Sequence, residues 1–264
     1  MSLNLNDLVT QIINTAPIGE INEVTRTLSS IVPSSSTTTV SKTVEEYVEE
    51  NGIILLGQYI ASKYNKDSNS TKFWDYSSKQ KFNYDIKSNR AIDFERAEPL
   101  VAYPLFYGEL VEALQTYGED HYPSEFGYAV IPVSDEKVVV VLIGQKTNPE
   151  NFYTGRWKSV YTFNSARHTI GSVKLDIHYY EDGNVRLNFE ENIDQSTASF
   201  DASGIVNFIN NTENKLTFKV IEEFNTLNKN TFKYLRRLLP VTKSKINWGK
   251  AIGTYKLGTD VVNQ

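Results

Sequence analysis

The chain lacks several features on which whole classes of protein depend. Among its 264 residues there is no cysteine, which excludes a disulfide scaffold, a cysteine-ligated metal and a cysteine nucleophile, and fits a reducing compartment. Its longest aliphatic run, Val138–Ile143, has six residues, whereas a membrane-spanning helix needs about 20 apolar residues. The opening MSLNLNDLV has no basic region, so we expect no signal peptide. These absences predict a cytoplasmic protein that does not span a membrane.

Motifs that would mark an enzyme are also missing. The sequence contains no glycine-rich phosphate loop, no dinucleotide-binding fingerprint and no nucleophile elbow. The three histidines, His121, His168 and His178, form no pair at metal-ligand spacing. Adjacent acidic pairs such as Glu222-Glu223 are typical of solvated faces. We therefore expect no catalytic residue, no metal and no cofactor, and we favour a binding protein over an enzyme.

The charge that is present is unevenly distributed. Eight basic residues and no acidic residue lie between Lys229 and Lys256, which leaves 19 of the 27 basic residues to balance all 32 acidic ones in the rest of the chain. A cationic end on an acidic body indicates an anionic partner, either nucleic acid, anionic lipid or an acidic protein surface. The alternative is that these cations only complement a helix dipole.

Hydrophobic periodicity predicts an α+β protein that begins with an antiparallel helical bundle over residues 1–52. Its helices are expected over about 5–14, from about 20 to Ile31, and over 43–50, with the Ser/Thr tract 34–39 as a polar loop. Residues 53–126 read as an irregular β-rich connector that ends in a helix over about 105–117. The first half of the chain is therefore expected to consist of short elements joined by polar turns.

Residues 127–191 carry the clearest strand pattern. Short polar connections between alternating segments predict a five-stranded antiparallel meander, with Asp182-Gly183 as a hairpin turn. The predicted strands cover residues 127–133, 137–145, 155–163, 172–180 and 184–190.

A long helix is predicted within 197–240, because apolar residues recur at helical spacing from near Ser203 until Pro240 must end it. Unbroken, such a helix is about 55 Å long. Five strands span about 24 Å, and we expect strands of similar length, so the helix would overhang its sheet in any orientation. This overhang predicts a partner subunit that completes the sheet; the alternative is a kink near Asn225–Asn230.

The remaining segment, 241–264, is predicted to be a basic, amphipathic tail. Trp248, Ile252 and Tyr255 lie on one face of a short helix that Gly249 and Gly253 weaken. Two interpretations stay open: a tail that becomes ordered on a target, and a helix docked on its own domain.

Several sequence segments, in matching order, resemble the alpha subunit of F-actin capping protein. His178–Val185 reads HYYEDGNV and Phe232–Pro240 reads FKYLRRLLP, and both are similar to signatures of that family. Further similarity follows in VTKSKINW at 241–248, NFYTGRWKS at 151–159 and APIGE at 16–20. The resemblance extends over the whole chain and is weakest over 53–126.

The resemblance implies an alpha subunit that forms an obligate, pseudo-symmetric heterodimer with a beta subunit. Each subunit would contribute a helical bundle, half of one antiparallel sheet, a long helix across that sheet and an amphipathic C-terminal tentacle. The heterodimer would cap the barbed ends of actin filaments, independently of calcium, in the cortical actin cytoskeleton. Phosphoinositides and acidic regulatory peptides are the further partners that the resemblance suggests, and nucleic acid is not expected.

The resemblance also assigns two actin-binding sets of residues. Lys233, Arg237 and Lys243 match the family's basic patch, and helical spacing places Lys229, Lys233, Arg236 and Arg237 on one face. We define the basic patch as Lys233, Arg236, Arg237, Lys243 and Lys245, and the tail set as Trp248, Lys250, Ile252, Tyr255 and Lys256.

Two alternatives from other functional classes stay open at this point. One is a module that binds nucleic acid or anionic lipid through the basic window, although it lacks the aromatic platform or groove-reading helix typical of such modules. The other is an enzyme that uses His178 with Glu181, although the hairpin turn explains Glu181-Asp182-Gly183 more simply.

Overall fold

A computed structural model describes residues 4–17, 19–122, 124–181, 184–197 and 199–230. The chain forms two compact units, Met1–Leu100 and Val101–Gln264.

The first unit opens with the predicted helical bundle, which is confirmed. It consists of α1 (Leu5–Thr15), α2 (Ile21–Ile31) and α3 (Thr37–Asn51). The side chain of Asn4 caps α1 by accepting the N–H of Asn6. The Tyr47 hydroxyl of α3 donates to the carbonyl of Ala16 at 3.1 Å, which ties α3 to the end of α1.

The polar loop expected over residues 34–39 is wrong. Ser34–Ser36 form a 3-10 turn and α3 begins at Thr37. Val40, Val44, Tyr47 and Val48 are buried on one face of α3, and burial of this apolar stripe outweighs the low helix propensity of three consecutive threonines. The same spacing was visible in the sequence from Val40 onward.

Two small antiparallel sheets complete this unit. Phe73 and Phe82 join its core beside Ile13, Val48 and Leu55. One sheet pairs β1 (Ile53–Leu55) with β2 (Tyr59–Ala61), and the other has the order β3 (Phe73–Asp75), β4 (Gln80–Asp85) and β5 (Arg90–Arg96).

The second unit contains the predicted five-stranded antiparallel meander, which is confirmed. Helix α4 (Tyr107–His121) precedes it. The strands are β6 (Glu125–Ser134), β7 (Lys137–Asn148), β8 (Tyr153–Asn164), β9 (His168–Tyr179) and β10 (Val185–Ser196), and each pairs with its neighbours in the chain. The hairpin residues Asp182 and Gly183 lie outside the described residues.

Helix α5 (Ala202–Asn230) follows the sheet and begins where the sequence predicted. The Asp201 carboxylate accepts the N–H of Gly204 at 2.7 Å, which satisfies a donor of the first turn and lowers the pKa of Asp201. The 29 residues of α5 are assigned as one helix through Asn225–Asn230, the stretch in which the alternative placed a kink. The remainder of the predicted helix, up to Pro240, lies outside the described residues.

Candidate functional site: an open sheet edge beside a groove

Strand β10 is one of the two edges of the five-stranded sheet. Its twelve residues pair with β9 in an unshifted register from Val185 to Ser196, and among the described strands β10 has no other neighbour. Every second residue along the strand points to one face, and on that face these five side chains are all exposed: Arg186, Asn188, Glu190, Asn192 and Asp194. A long edge without a bulge presents unpaired backbone groups to which another strand can add.

The opposite edge, β6, is built differently. It contains Pro132, which has no backbone N–H to donate, and its register with β7 shifts between Pro132 and Ser134. Proline and bulges are features that blunt sheet edges against further pairing. The two edges are therefore unequal, and β10 is the one suited to receive a strand.

Helix α5 packs over β8 and reaches the edge strand β10 farther along its length. The Phe208 ring meets those of Tyr161 and Phe163 of β8 edge to face, at 6.1 and 5.6 Å. Farther along α5, Lys219 forms a 2.9 Å ion pair with Glu191 of β10. The 29 residues of α5 rise about 43 Å in total, of which about 16 Å follow Lys219. Considerable helix length is left after the contact with the edge strand.

The expectation that the strands match the sheet's width in length is wrong. Strands β7 to β10 have 12 residues each, or about 40 Å at 3.4 Å per residue, which is longer than expected. The predicted helix, which continues to Pro240 and is about 55 Å long, would still extend beyond strands of this length. Across the strands the sheet is narrower, since five of them span only about 24 Å.

An open groove of about 810 Å³ lies between β10, the loop that follows it and α5. Ile193, Phe208 and Leu216 supply its apolar lining. Charged side chains also line it, with Lys215 and Lys219 on α5 and Glu191 on β10. An open groove that combines apolar side chains with charges of both signs is suited to an amphipathic helix.

A hydrogen-bonded cluster beneath α5 centres on Glu213, which is fully buried. Its carboxylate accepts the hydroxyls of Tyr117 at 2.9 Å and Tyr122 at 2.8 Å, and also that of Ser159. Burial, together with the charge of Glu213, raises the pKa values of Tyr117 and Tyr122. Both phenols therefore keep their protons and act as donors. Sequence reasoning missed this cluster, and the available signal was one acidic residue within the apolar stripe of α5.

The residues assigned from sequence to actin binding all follow Asn230 and lie outside the described residues, namely Lys233, Arg236, Arg237, Lys243, Lys245, Trp248, Lys250, Ile252, Tyr255 and Lys256. The structure thus describes the body from which this segment continues.

His178, the base in the enzyme alternative, is buried in β9. One ring nitrogen lies 2.7 Å from the side-chain oxygen of Asn184, across the β9–β10 connection. Among the described residues, no group of three or more His, Asp or Glu side chains is arranged to hold a metal ion. No helix in the described part of the chain is long and apolar enough to cross a membrane.

Comparison with known proteins agrees with this architecture. The family model of the F-actin capping protein alpha subunit matches residues 9–260. The F-actin-capping protein alpha subunit of Debaryomyces hansenii is 51% identical over 99% of this chain and 98% of its own length. That of Candida albicans is 46% identical, with complete coverage of both chains, and that of Saccharomyces cerevisiae is 35% identical, with 97% of each chain covered.

A solved structure shares the fold. The homodimeric actin capping protein alpha subunit of Plasmodium berghei superposes with a TM-score of 0.70 at 17% identity, over 89% of this chain and 96% of that one. At this identity the likeness concerns the fold alone, whereas the family match and the full-length relatives concern the sequence. The chain therefore belongs to the F-actin capping protein alpha subunit family.

Proposed function

We propose that this chain is the alpha subunit of a heterodimer that binds the barbed ends of actin filaments, without a requirement for calcium, and blocks subunit addition and loss. The observation that carries the proposal is the family match over residues 9–260. The open β10 edge supports the heterodimer, and the cationic window after Lys229 supports actin binding.

The partner is a beta subunit that pairs with β10 and lays a helix in the groove beside α5. Strand addition would satisfy the outer backbone groups of β10, and a helix in the groove would cover the half-buried ring of Phe208. Phe218 of α5 is 66% exposed, so it is a further apolar surface for the partner. Obligate pairs of this kind bury about 2,000–5,000 Å², which is far more than the groove alone provides.

Capping then depends on two contacts made by the segment after α5. The basic patch meets acidic surface on actin, which speeds encounter and sets orientation. The apolar face of the tail, Trp248, Ile252 and Tyr255, docks in a hydrophobic groove on actin, and aromatic burial there slows dissociation. The basic patch is also suited to phosphoinositide head groups and acidic regulatory peptides, which would displace the protein in the cortical cytoskeleton.

The assembly is tested by expressing the chain alone and with its beta subunit. We expect the single chain to be insoluble or partly unfolded, because its groove and edge are uncovered, and the pair to sediment as a 1:1 complex. A stable, monodisperse monomer would contradict the proposed interface. A stable homodimer would show instead that the edge pairs with itself.

Seeded actin elongation tests the activity of the heterodimer. The variant Lys233→Ala/Arg237→Ala/Lys243→Ala should associate with barbed ends roughly tenfold or more slowly, with a weaker dependence on salt. A matched control, Lys42→Ala/Lys63→Ala/Lys79→Ala, removes the same charge from exposed ion pairs of the first unit and should cap normally.

Two results of this assay would count against the proposal. A wild-type heterodimer that leaves elongation unchanged, with or without calcium chelator, refutes capping itself. Equal slowing in the variant and the control assigns the effect to net charge rather than to the basic patch.

A further inference from the structure

Glu213 is buried at a position where an acidic side chain is expected to lower the stability of the fold. Its carboxyl group has no exposed area and lies in the middle of α5, and taking a polar or charged group out of water costs several kcal/mol that hydrogen bonds must offset. Apolar residues of similar volume at such positions are often neutral or stabilising. The same helix already buries Ile209, Leu216 and Val220 completely or almost completely. Stability alone does not account for a carboxylate here.

The hydrogen bonds to Glu213 come from two elements, α4 with its C-cap residue and strand β8. Tyr117 belongs to α4, Tyr122 follows the end of α4, and Ser159 lies in the middle of β8. Trp157 Nε1 donates to Ser159 Oγ at 2.8 Å, so the proton of Ser159 is left for Glu213. With both tyrosines protonated, three hydroxyl donors converge on the side-chain oxygens of Glu213.

Apolar packing and hydrogen bonding constrain a helix in different ways. Hydrophobic burial is non-directional, and repacked cores lose uniqueness before they lose stability. Three hydrogen bonds from fixed elements satisfy distance and angle limits at only one rotation and one axial position of α5. A slip of one residue would rotate the helix by about 100° and would move Lys215 and Lys219 away from the groove.

We propose that Glu213 is a positioning residue: through Tyr117, Tyr122 and Ser159 it fixes the register of α5 on the sheet, and thereby the shape of the groove that receives the partner. The inference rests on the proposed function for the identity of the occupant. It assigns no contact with actin or with the partner to Glu213 itself.

The test compares variants in the heterodimer. Glu213→Leu alone leaves three buried donors without an acceptor and should lower the melting temperature. Adding Tyr117→Phe and Tyr122→Phe removes two of those donors and should restore stability, because removing both partners of a buried hydrogen bond is nearly neutral. Ser159 is retained because it is the acceptor for Trp157.

The decisive readout is exchange of a labelled beta subunit out of the complex. The triple variant should melt close to wild type yet exchange its partner tenfold or more faster. If it both melts and exchanges like wild type, Glu213 has only a structural role and the inference is overturned. Seeded elongation by the wild-type heterodimer is measured in parallel, so a failure of the proposed function is recognised separately.

A second comparison keeps the inference testable if the triple variant does not fold. Tyr117→Phe should speed partner exchange relative to Tyr128→Phe, whose hydroxyl contacts Gln115 rather than Glu213. Equal exchange rates in these two single variants would overturn the inference as well.

Discussion

Gly118 of α4 provides a sharp test of how this sheet and its helices are packed. The glycine is buried on α4 and faces the ring of Phe126 on β6. A Cβ added at Gly118 would lie 1.8 Å from Cζ of Phe126, and within 2.4 Å of two further ring atoms. Real Cβ atoms do not approach that closely, so Gly118→Ala requires the ring or the helix to move.

The ring has little room to move. Phe126 is stacked between Tyr122 and Tyr128, with centroids 5.5 Å away on each side and interplanar angles of 3° and 9°. Tyr122 is in turn fixed by its hydrogen bond to Glu213. The strain of the added methyl group is therefore expected to spread through the whole stack.

The magnitude follows from two opposing terms. Alanine gains about 1 kcal/mol over glycine in a helix interior, whereas overpacking of a closed site costs about 1–3 kcal/mol. Since the approach distance is severe, we expect the cost near the upper end and a net loss of about 1–2 kcal/mol. For a domain of this size, each kcal/mol lowers the melting temperature by about 2–4 °C.

Gly108, near the start of the same helix, is the matched control. A Cβ there has no atom within 4 Å, so Gly108→Ala should be neutral or stabilising, by at most about 1 kcal/mol. Thermal unfolding of the heterodimer measures both variants. The reasoning is refuted if Gly118→Ala stabilises as Gly108→Ala does, or if its cost is unchanged in a Phe126→Leu background, where a double-mutant cycle should show coupling.

Three further predictions concern a glycine of the sheet, the C-terminal tail and a buried carboxylate. Gly171→Ala should cost more than Gly118→Ala, because its Cβ would lie 2.4 Å from the carbonyl oxygen of Val160 on the neighbouring strand, and a backbone atom cannot rotate away. Truncation after Ile246 should leave melting unchanged but speed dissociation from capped seeds if the tail docks on actin, whereas lower melting would indicate that it docks on its own domain. Burial by itself raises the pKa of Asp67, but hydrogen bonds from Ser70, Lys81 and Trp74 leave the pKa below its ordinary value. The stabilisation from the ionised carboxylate is therefore complete above about pH 4 and is lost as the pH falls further. Asp67→Asn should reduce this loss of unfolding free energy at low pH, measured by urea unfolding.

The architecture of the second unit could be predicted because its signals are local. Strand alternation and short polar connections locate each strand of the meander, and the predicted strands fall almost entirely within the observed ones. The ends of the strands were predicted less well: β9 begins at His168 and β10 continues to Ser196, beyond the residues in which apolar and polar side chains clearly alternate. Backbone pairing with a neighbouring strand continues through polar residues, so the hydrophobic pattern does not show where such a strand ends.

The features that escaped prediction depend on contacts between distant residues. Helix α3 extends back to Thr37 because Val40 and Val44 find a partner surface, and tertiary burial overrides the β-branched Thr tract there. Ser159 and Glu213 are 54 positions apart, and no local pattern connects them. In the sequence, Glu213 looks like an exception within an apolar stripe. Its role becomes visible only in the folded structure, where three hydroxyl groups donate hydrogen bonds to it.

The prediction of a partner from the length of α5 combines a premise that the structure contradicts with a conclusion that survives. Its premise about strand length was wrong, since strands of 12 residues are about 40 Å long. Its conclusion does not need that premise, because the predicted helix of about 55 Å that continues to Pro240 exceeds even these strands. The structure adds where the helix contacts the sheet, which a sequence does not provide: α5 meets β8 at Phe208 and β10 at Lys219. Because β6 is blunted by Pro132 while β10 is not, the contact of Lys219 with β10 lies at the edge where a second sheet can be added.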